Sequence, residues 1–300
     1  MDDEKRRRER ERKRRRRERI RASWDPPGPV PPGGQGDPAL EPSDDETLDH
    51  VCGHWRIFQR RDGHRFSTDD FVCAWYAAER ARDAGLRVDD YLDLGTGIGS
   101  VALMVAWRLA DARVRGIEVQ PLSASLARRS ARYNGIADRF VIDTGDLRDT
   151  ALLPAAAAHD LITGSPPYLP LGTGLESGRP QRGPARFVHH GDVADYAAAA
   201  SRALRPGGLF VLVYAAYRPG DVPAAARTSG LAIRTRRLVI PREGKEPLLE
   251  LFCLGHGGEG AADEIVEPTL TVRDRAGRWT DEYQRVRDSM GFPSPPGAGK

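Results

Sequence analysis

Two short apolar runs each open into a turn whose residue types suit chemistry. Residues 91–94 contain Asp93 and lead into Gly95-Thr96-Gly97-Ile98-Gly99, and residues 160–163 lead, after one glycine, into Ser165-Pro166-Pro167-Tyr168. A buried strand that ends in a glycine turn before a helix leaves backbone N–H groups free to bind a ligand. Parallel strands place their carboxyl ends at one edge of a sheet. The sequence therefore predicts a ligand at the first turn and the group acted upon at the second.

Carboxylates continue the pattern at the next two predicted strand ends. Glu118 lies 25 positions after Asp93, and Asp146 follows the strand after that. Glu118 can accept hydrogen bonds from both hydroxyls of a ribose, and Asp146 is placed to meet an adenine amino group. The D-x-G-x-G-x-G pattern departs from the G-x-G-x-x-G of dinucleotide sites, because Ser100 holds its last position. Together these residues predict an adenosine-containing ligand.

This combination resembles the class I S-adenosylmethionine-dependent methyltransferases. The resemblance implies that S-adenosyl-L-methionine is the cofactor. It also implies that the first motif holds the methionine part, that Glu118 holds the ribose and that Asp146 holds the adenine. The cofactor-binding residues predicted in this region are Asp93, Gly95, Thr96, Gly97, Gly99, Glu118 and Asp146.

The second turn predicts chemistry on a planar amine. Such an amine is a poor nucleophile because its lone pair is delocalised, and methylating it needs acceptors for its N–H groups. The side-chain oxygen of Ser165 and the carbonyl of Pro166 can supply them, Pro167 helps to stiffen the loop, and Tyr168 offers a stacking face. Methylases with [Asn/Asp/Ser]-Pro-Pro-[Tyr/Phe] act on amino nitrogens of adenine, cytosine, guanine or glutamine. The motif therefore indicates a planar amine without naming the substrate.

Flanking segments resemble one group more closely, over about residues 55 to 285. Gln59 followed by residues 63–69 is similar to the Gln…Gly-Tyr-Arg-Phe-Ser-x-Asp signature of bacterial tRNA adenine-N6 methyltransferases, which modify the purine beside the anticodon of valine tRNA. Residues 241–247 match the Pro-Arg-x-Gly-Lys-Glu-Pro hairpin of the same group. The group usually has Tyr at position 64 and Asn at position 165. In those proteins the first segment closes over the cofactor, which implies cofactor contacts at Phe66, Ser67 and Asp69.

Basic residues near the second turn suit an RNA backbone. We predict RNA contacts at Arg182 and Arg186, in the loop after the turn, and at Arg242 and Lys245, in the last hairpin. The chain has 46 Lys and Arg residues, nearly all of them arginine, so scattered surface arginines are an equally open interpretation of each one.

Alternating apolar runs predict the elements that position these residues. Strands are expected at 90–94, 113–118, 139–143, 159–164, 208–214, 231–239 and 247–254, and helices at 67–82, 98–110, 121–134, 191–204 and 219–229. This alternation predicts an α/β fold: a Rossmann-like three-layer sandwich with a seven-stranded, mostly parallel sheet that ends in an antiparallel hairpin. Asp62-Gly63 is a hairpin-turn signal. Residues from 269 onward suggest a strand, a turn and a helix beginning at Thr280.

Composition divides the chain into four parts: a basic tail at 1–24, a Pro/Gly linker at 25–46, a methyltransferase domain at 47–255 and an extension at 256–300. Residues 1–21 carry a net charge of +7 and the remainder a net charge of −4. The tail is either a disordered or helical solvated segment or an arm that binds nucleic-acid phosphates.

Apolar runs fall short of the length that crosses a membrane, and the charged N-terminus is unlike a signal peptide. The three cysteines show neither disulfide nor zinc spacing, and no set of metal ligands is evident. These features favour a cytoplasmic protein without a metal.

The sequence thus favours N6-methylation of adenine in tRNA. Three alternatives stay open: methylation of protein glutamine, methylation of guanine or cytosine amines in rRNA or DNA, and a non-catalytic RNA-binding relic of the fold. The sequence does not indicate the oligomeric state of the protein.

Overall fold

The computed structural model describes residues 24–63, 65–153, 158–168, 191–258 and 263–293, and within them a hairpin precedes a series of alternating strands and helices. The elements are β1 (Glu46–His50), β2 (Arg56–Arg60), α1 (Thr68–Asp83), β3 (Asp90–Leu94), α2 (Ser100–Arg108), β4 (Arg113–Glu118), α3 (Pro121–Tyr133), β5 (Phe140–Thr144), β6 (His159–Gly164), α4 (Val193–Ala203), β7 (Leu204–Ala215), α5 (Asp221–Thr228), β8 (Leu231–Ile240), β9 (Leu249–His256), β10 (Ile265–Val266), β11 (Leu270–Thr271) and α6 (Asp281–Ser289).

The central sheet has the strand order β5-β4-β3-β6-β7-β9-β8, with β10 and β11 both paired to β8. All pairs are parallel except those of β9, which is antiparallel to β7 and β8. The predicted fold class is therefore confirmed, although the sheet has nine strands rather than seven. Of the two additional strands, β11 lies in the strand expected from residue 269 but was not counted as part of the sheet, and β10 has only two residues, too few to show a period in the sequence.

Alternate residues of the parallel strands face two separate apolar layers. Leu161 and Val211 belong to the core beneath α1, α2 and α3, whereas Ile162 and Phe210 belong to the core beneath α4 and α5. This period of two, apolar on both faces, is what a parallel sheet covered by helices requires. The order of strands reverses between β3 and β6, and open α/β sheets bind ligands beside the carboxyl ends of strands at such a switch point.

The segment before β3 differs from the prediction in one respect. β2 pairs with β1, which precedes it, so the expected hairpin turn at Asp62-Gly63 is wrong. The reason is the buried Gln59, whose Oε1 accepts the backbone N–H of Phe66 at 2.9 Å and draws the chain inward toward α1.

Residues 33–41 lie against α3. The N–H of Gly33 donates to the carbonyl of Tyr133 at 3.1 Å, and Arg129 donates to the carbonyls of Ala39 and Glu41 at 2.8 Å each. At the other end of the chain, β11 and α6 occupy the positions where a strand and a helix were expected. No helix among the described residues is both long and apolar enough to cross a bilayer.

Candidate active site

A cavity of about 330 Å³ opens beside the carboxyl ends of β3, β4, β5 and β6. Its volume lies within the range of about 300–1,000 Å³ that is usual for small-molecule sites. The predicted site residues that line it are Ser67, Asp69, Asp93, Gly95, Thr96, Gly97, Glu118, Ser165, Pro166, Pro167 and Tyr168. The structure thus brings both motifs into one cavity, and the ligand contacts of these residues stay predictions.

Asp93 lies at the end of β3 and is the most enclosed carboxylate of the cavity. Its Oδ2 accepts the hydroxyl proton of Thr96 at 2.6 Å, and its Oδ1 accepts that of Thr163, on β6, also at 2.6 Å. The hydroxyl of Tyr91 then donates to Thr163 Oγ1 at 2.6 Å. Burial raises the pKa of Asp93 to about 6, in spite of the two hydroxyl bonds that favour its ionised form. These bonds tie the two neighbouring strand ends together and fix the carboxylate.

The glycine turn after Asp93 leaves room for a ligand on one side only. Gly97 has a φ of 59°, and apart from its chain neighbours no atom of the described residues lies within 4 Å of the position that a Cβ would take there. At Gly95 a Cβ would come within 1.9 Å of the hydroxyl oxygen of Tyr196, on α4. Gly97 therefore permits close approach of a ligand, and Gly95 permits close approach of Tyr196.

Glu118 ends β4 and is held by the backbone around it. Its Oε2 accepts the N–H of Gly97 at 2.9 Å, and its Oε1 accepts the N–H of Gln120 at 2.8 Å. Burial raises the pKa of Glu118, and the two backbone N–H groups oppose that rise. Each oxygen keeps a lone pair that can accept a further bond, which is the arrangement a pair of ribose hydroxyls needs.

Asp146, after β5, lies outside the cavity lining. Both of its oxygens accept bonds from the guanidinium of Arg148, at 2.9 and 2.6 Å, and the cavity wall here is formed by its neighbours Gly145 and Leu147. Its contact with adenine stays a prediction. Phe66 and Gly99 also lie outside the lining: Phe66 packs against the apolar core, and Gly99 faces Ala127 on α3.

The start of α1 closes the cavity and contributes a carboxylate that was not predicted. Ser67 is the N-cap of this helix, and its backbone N–H donates to Oδ2 of Asp70 at 2.9 Å. Burial raises the pKa of Asp70 well above its usual value, and the negative charges of Asp69 and Asp93 add to that rise. The spacing Ser67-x-x-Asp70 is that of a capping box, which was the signal for this residue.

Hydrogen bonds and an ion pair hold the loop that precedes α1 beside the cavity. Arg65 also lines the cavity, and its Nη2 pairs with Asp49 Oδ2 at 2.7 Å. Gln59 donates to the same oxygen at 3.0 Å. The Gln59…Arg65-Phe66 part of the signature therefore binds the β1–β2 hairpin to the loop that precedes α1.

Tyr196 is another residue of the cavity that was not predicted from the sequence. A Cβ on Gly95 or on Gly164 would clash with its ring or hydroxyl, so the ring packs across the ends of both β3 and β6. Burial raises the pKa of Tyr196, and the nearby carboxylates add to the effect, so its hydroxyl stays protonated. Its pattern in the sequence is that of an ordinary apolar position on a helix, which gave no signal of this role.

The motif after β6 is less constrained than the motif after β3. Within the described residues, Ser165 Oγ has no hydrogen-bond partner. The ring of Tyr168 contacts Tyr214 edge to face, with centroids 6.0 Å apart, and Tyr217 in the same way at 6.3 Å. An acceptor oxygen and an aromatic ring are therefore presented at the cavity side by side.

The predicted RNA contacts divide into two groups. Arg242 and Lys245 are exposed in the turn between β8 and β9, at the same edge of the sheet as the cavity. Arg182 and Arg186 lie outside the described residues.

No family model matches the chain, but individual proteins do. A tRNA1(Val) (adenine(37)-N6)-methyltransferase from Porphyromonas gingivalis is 32% identical over 227 residues, which cover 75% of this chain and 87% of that protein. The chain belongs to this methyltransferase family. Membership confirms the resemblance found in the sequence, and it makes the chain an enzyme that takes its methyl group from S-adenosylmethionine.

The chain is also similar to a second methyltransferase by sequence and to a solved structure by fold. A 4-amino-L-phenylalanine/4-methylamino-L-phenylalanine methyltransferase from Streptomyces pristinaespiralis is 31% identical over 205 residues, covering 62% of this chain and 66% of that protein. The crystal structure of a predicted O-methyltransferase from Agrobacterium tumefaciens superimposes with a TM-score of 0.56 at 21% identity, over 75% of this chain and 98% of that one. This second likeness shows the shared methyltransferase fold.

The cavity of this family member suits a cationic cofactor. Four carboxylates line it, and Arg65, the one cation among the lining residues that the structure describes, is already paired with Asp49. S-adenosylmethionine carries a positive sulfur, a positive amino group and a carboxylate, so its net positive charge offsets part of the mutual repulsion of these carboxylates. The four carboxylates are those of Asp69, Asp70, Asp93 and Glu118.

Proposed function

We propose that this methyltransferase acts on the exocyclic N6 of an adenine in tRNA. The observation that carries the proposal is the position of Ser165-Pro166-Pro167-Tyr168 at the end of β6, in the same cavity as Asp93 at the end of β3. The tRNA substrate of the Porphyromonas relative supports the choice of target. Valine tRNA and its adenine 37 are accordingly the first substrate to test.

When bound, S-adenosylmethionine supplies a methyl group attached to a positively charged sulfur. Glu118 accepts hydrogen bonds from the two ribose hydroxyls. Each of its carboxylate oxygens uses the lone pair that is not bound to the N–H of Gly97 or Gln120. Asp93 holds the methionine part, and Thr96 and Thr163 keep its carboxylate in one orientation. Because the protein supplies these bonds itself, they orient the carboxylate for the cofactor.

The motif after β6 prepares the amine. Ser165 Oγ and the carbonyl of Pro166 accept hydrogen bonds from the two N–H groups of N6. These bonds localise the nitrogen lone pair and orient it toward the cofactor side of the cavity. Tyr168 stacks against the adenine ring after the base leaves its own stack. Catalysis then comes from positioning and from exclusion of water rather than from a covalent intermediate.

A tRNA substrate also places the reaction in the cytoplasm and calls for cationic surface beside the cavity. Arg242 and Lys245 are exposed on the appropriate edge of the sheet and serve as phosphate contacts in this proposal. Arg182, Arg186 and the basic tail are further contacts predicted from the sequence alone.

A small aromatic amine is the second candidate substrate. The Streptomyces relative acts on the ring-bound amine of 4-amino-L-phenylalanine. That nitrogen is conjugated to a planar ring as adenine N6 is, so the same two acceptors and the same stacking ring would serve it.

The test is transfer of labelled methyl from S-adenosylmethionine to four separate pools: total tRNA, rRNA, total protein and 4-amino-L-phenylalanine. The proposal expects label in tRNA, recovered as N6-methyladenosine after digestion to nucleosides. Label confined to protein would favour glutamine, label in the amino acid would favour the second candidate, and either result would overturn the proposal. Tight cofactor binding with no label in any pool would also contradict it.

A further inference from the structure

An exposed aromatic side chain lies just outside the cavity, at the end of β7. Tyr217 follows this strand by two residues, and 57% of its surface is exposed. Its ring stands at 83° to that of Tyr168, with centroids 6.3 Å apart. Leu248, before β9, is 51% exposed, and its carbonyl accepts the N–H of Ala216 at 3.1 Å, which places the two exposed side chains on adjoining segments. We call Tyr217 and Leu248 together the apolar ledge.

The turn that carries Tyr217 is braced rather than loose. The hydroxyl of Tyr214 donates to Asp221 Oδ2 at 3.1 Å, and Arg218 pairs with the same oxygen at 2.5 Å. Tyr214 also contacts the ring of Tyr168. The ring of Tyr217 is therefore exposed on a fixed backbone, next to the residue that is proposed to stack on the target base.

Charge beside the ledge suits a nucleic-acid strand. The turn formed by residues 241–247 directly precedes Leu248 and exposes Arg242 and Lys245. Of its two glutamates, Glu243 is paired with Arg275 at 3.2 Å and Glu246 is exposed. An aromatic face beside cations is the combination that binds single-stranded nucleic acid, since bases stack on the ring and phosphates meet the cations.

We propose that the apolar ledge is a subsite for the nucleobase next to the target adenine. When the target leaves its stack, its neighbour loses a stacking partner, and the ring of Tyr217 replaces that partner immediately beside Tyr168. The inference rests on the proposed tRNA function and deepens it. It assigns the ledge to one flanking base of the RNA, held by stacking and without selection for base identity.

The test combines a protein variant with an altered RNA. Wild type, Tyr217→Ala, Tyr217→Phe and the control Val141→Ala are assayed on valine tRNA that is either intact or abasic at one neighbour of adenine 37, on the 5′ or the 3′ side in separate substrates. Val141 is a matched control because it is similarly exposed, at 54%, but lies on β5, the outermost strand on the side of the sheet opposite β8. KM for tRNA, kcat and the cofactor Kd are measured for each pair.

Loss of one stacked base predicts that Tyr217→Ala raises KM for intact tRNA about five- to tenfold, with kcat and cofactor Kd nearly unchanged. Tyr217→Phe and Val141→Ala should resemble wild type. One of the two abasic substrates should raise KM for wild type by a similar factor and leave Tyr217→Ala unaffected, because the interaction is already gone.

If Tyr217→Ala and each of the two abasic sites raised KM by independent factors that multiply, the apolar ledge would not be the subsite of a neighbouring base. The methyltransferase assignment would stay intact. A change in oligomeric state of Tyr217→Ala with unaltered KM would also overturn it, because the ledge would then be a contact between copies of the chain. Absence of N6-methyladenosine from intact tRNA with wild type is a different failure, which removes the proposed function and the ledge together.

Discussion

The two halves of the cavity differ in how completely their polar groups are satisfied. At the ends of β3 and β4, Asp93 and Glu118 are buried, and each oxygen atom of both carboxylates already accepts a bond from the protein. At the end of β6, Ser165 Oγ has no hydrogen-bond partner within the described residues, and the ring of Tyr168 contacts those of Tyr214 and Tyr217. In one half the protein itself holds both carboxylates in place, and in the other half the proposed function assigns the partner of Ser165 Oγ to the substrate.

This difference separates binding from chemistry. Preorganised acceptors in a buried site give affinity, because their orientation costs nothing at the moment of binding. Acceptors that meet the substrate only in the reactive arrangement lower the barrier instead. Variants of the β3–β4 half should therefore act on cofactor affinity, and variants of the β6 half on turnover.

The largest effect is expected from Glu118→Gln. The amide removes the charge and turns an NH2 group toward one of the two backbone N–H donors, so the ribose loses its charged acceptor. We expect the cofactor Kd, measured by calorimetry, to rise about 100-fold. Glu46→Gln is the control, since Glu46 is equally buried but pairs with Arg129, away from the cavity. Unaltered affinity in Glu118→Gln would contradict the assigned role.

Ser165→Ala should have the opposite profile. Loss of one neutral hydrogen bond to the amine predicts that kcat falls about tenfold, whereas the cofactor Kd stays within error of wild type. Ser165→Asn restores an acceptor oxygen and should recover activity. If Ser165→Ala weakened cofactor binding as much as it slowed turnover, the division between the two halves would be lost.

A smaller effect concerns pH and Asp93. Burial raises the folded-state pKa of this group to about 6, above its ordinary value of 3.8, so its protonation stabilises the unliganded fold at pH below 3.8. That stability is lost as the pH rises through 6. A cationic cofactor reverses the preference, because it favours the ionised carboxylate. Cofactor affinity should therefore fall up to about tenfold between pH 7 and pH 5.

The control for this prediction is Asp93→Asn, which cannot ionise. Its cofactor affinity should be weak and should depend less on pH than that of wild type, because of the cavity carboxylates with raised pKa values only Asp70 and Glu118 then remain. Its unliganded form should melt at or above the wild-type temperature at pH 7. A wild-type affinity that stays flat from pH 5 to pH 7 would show that Asp93 does not meet the positive charge of the cofactor.

The strands that carry both halves of the cavity were predicted correctly from the sequence. The strands at 90–94, 113–118 and 159–164 are found at the predicted residues, because each is a short apolar run bounded by turn or charged residues. Glu118 and the glycine turn lie where strand order alone puts them. Asp70 could have been predicted from the capping-box spacing Ser67-x-x-Asp70, although it was not.

Contacts between distant segments were beyond the sequence. Tyr196 reaches the cavity only because α4 packs across β3 and β6, and the ledge depends on β9 inserting between β7 and β8. The Asp62-Gly63 signal failed because a buried side chain, Gln59, outweighed local turn preference. Local patterns thus predict elements and strand ends, whereas the residues that join those elements follow from packing.

The most direct test of adenine N6-methylation in tRNA is to locate the methyl group. An unmodified valine tRNA transcript is incubated with the enzyme and S-adenosylmethionine, digested with a base-specific ribonuclease, and the fragments are analysed by mass spectrometry and as nucleosides. The proposed function predicts one added methyl group, as N6-methyladenosine, in the anticodon-loop fragment that contains adenine 37. A methyl group on another type of nucleoside, or an unmethylated transcript together with tight cofactor binding, would contradict it.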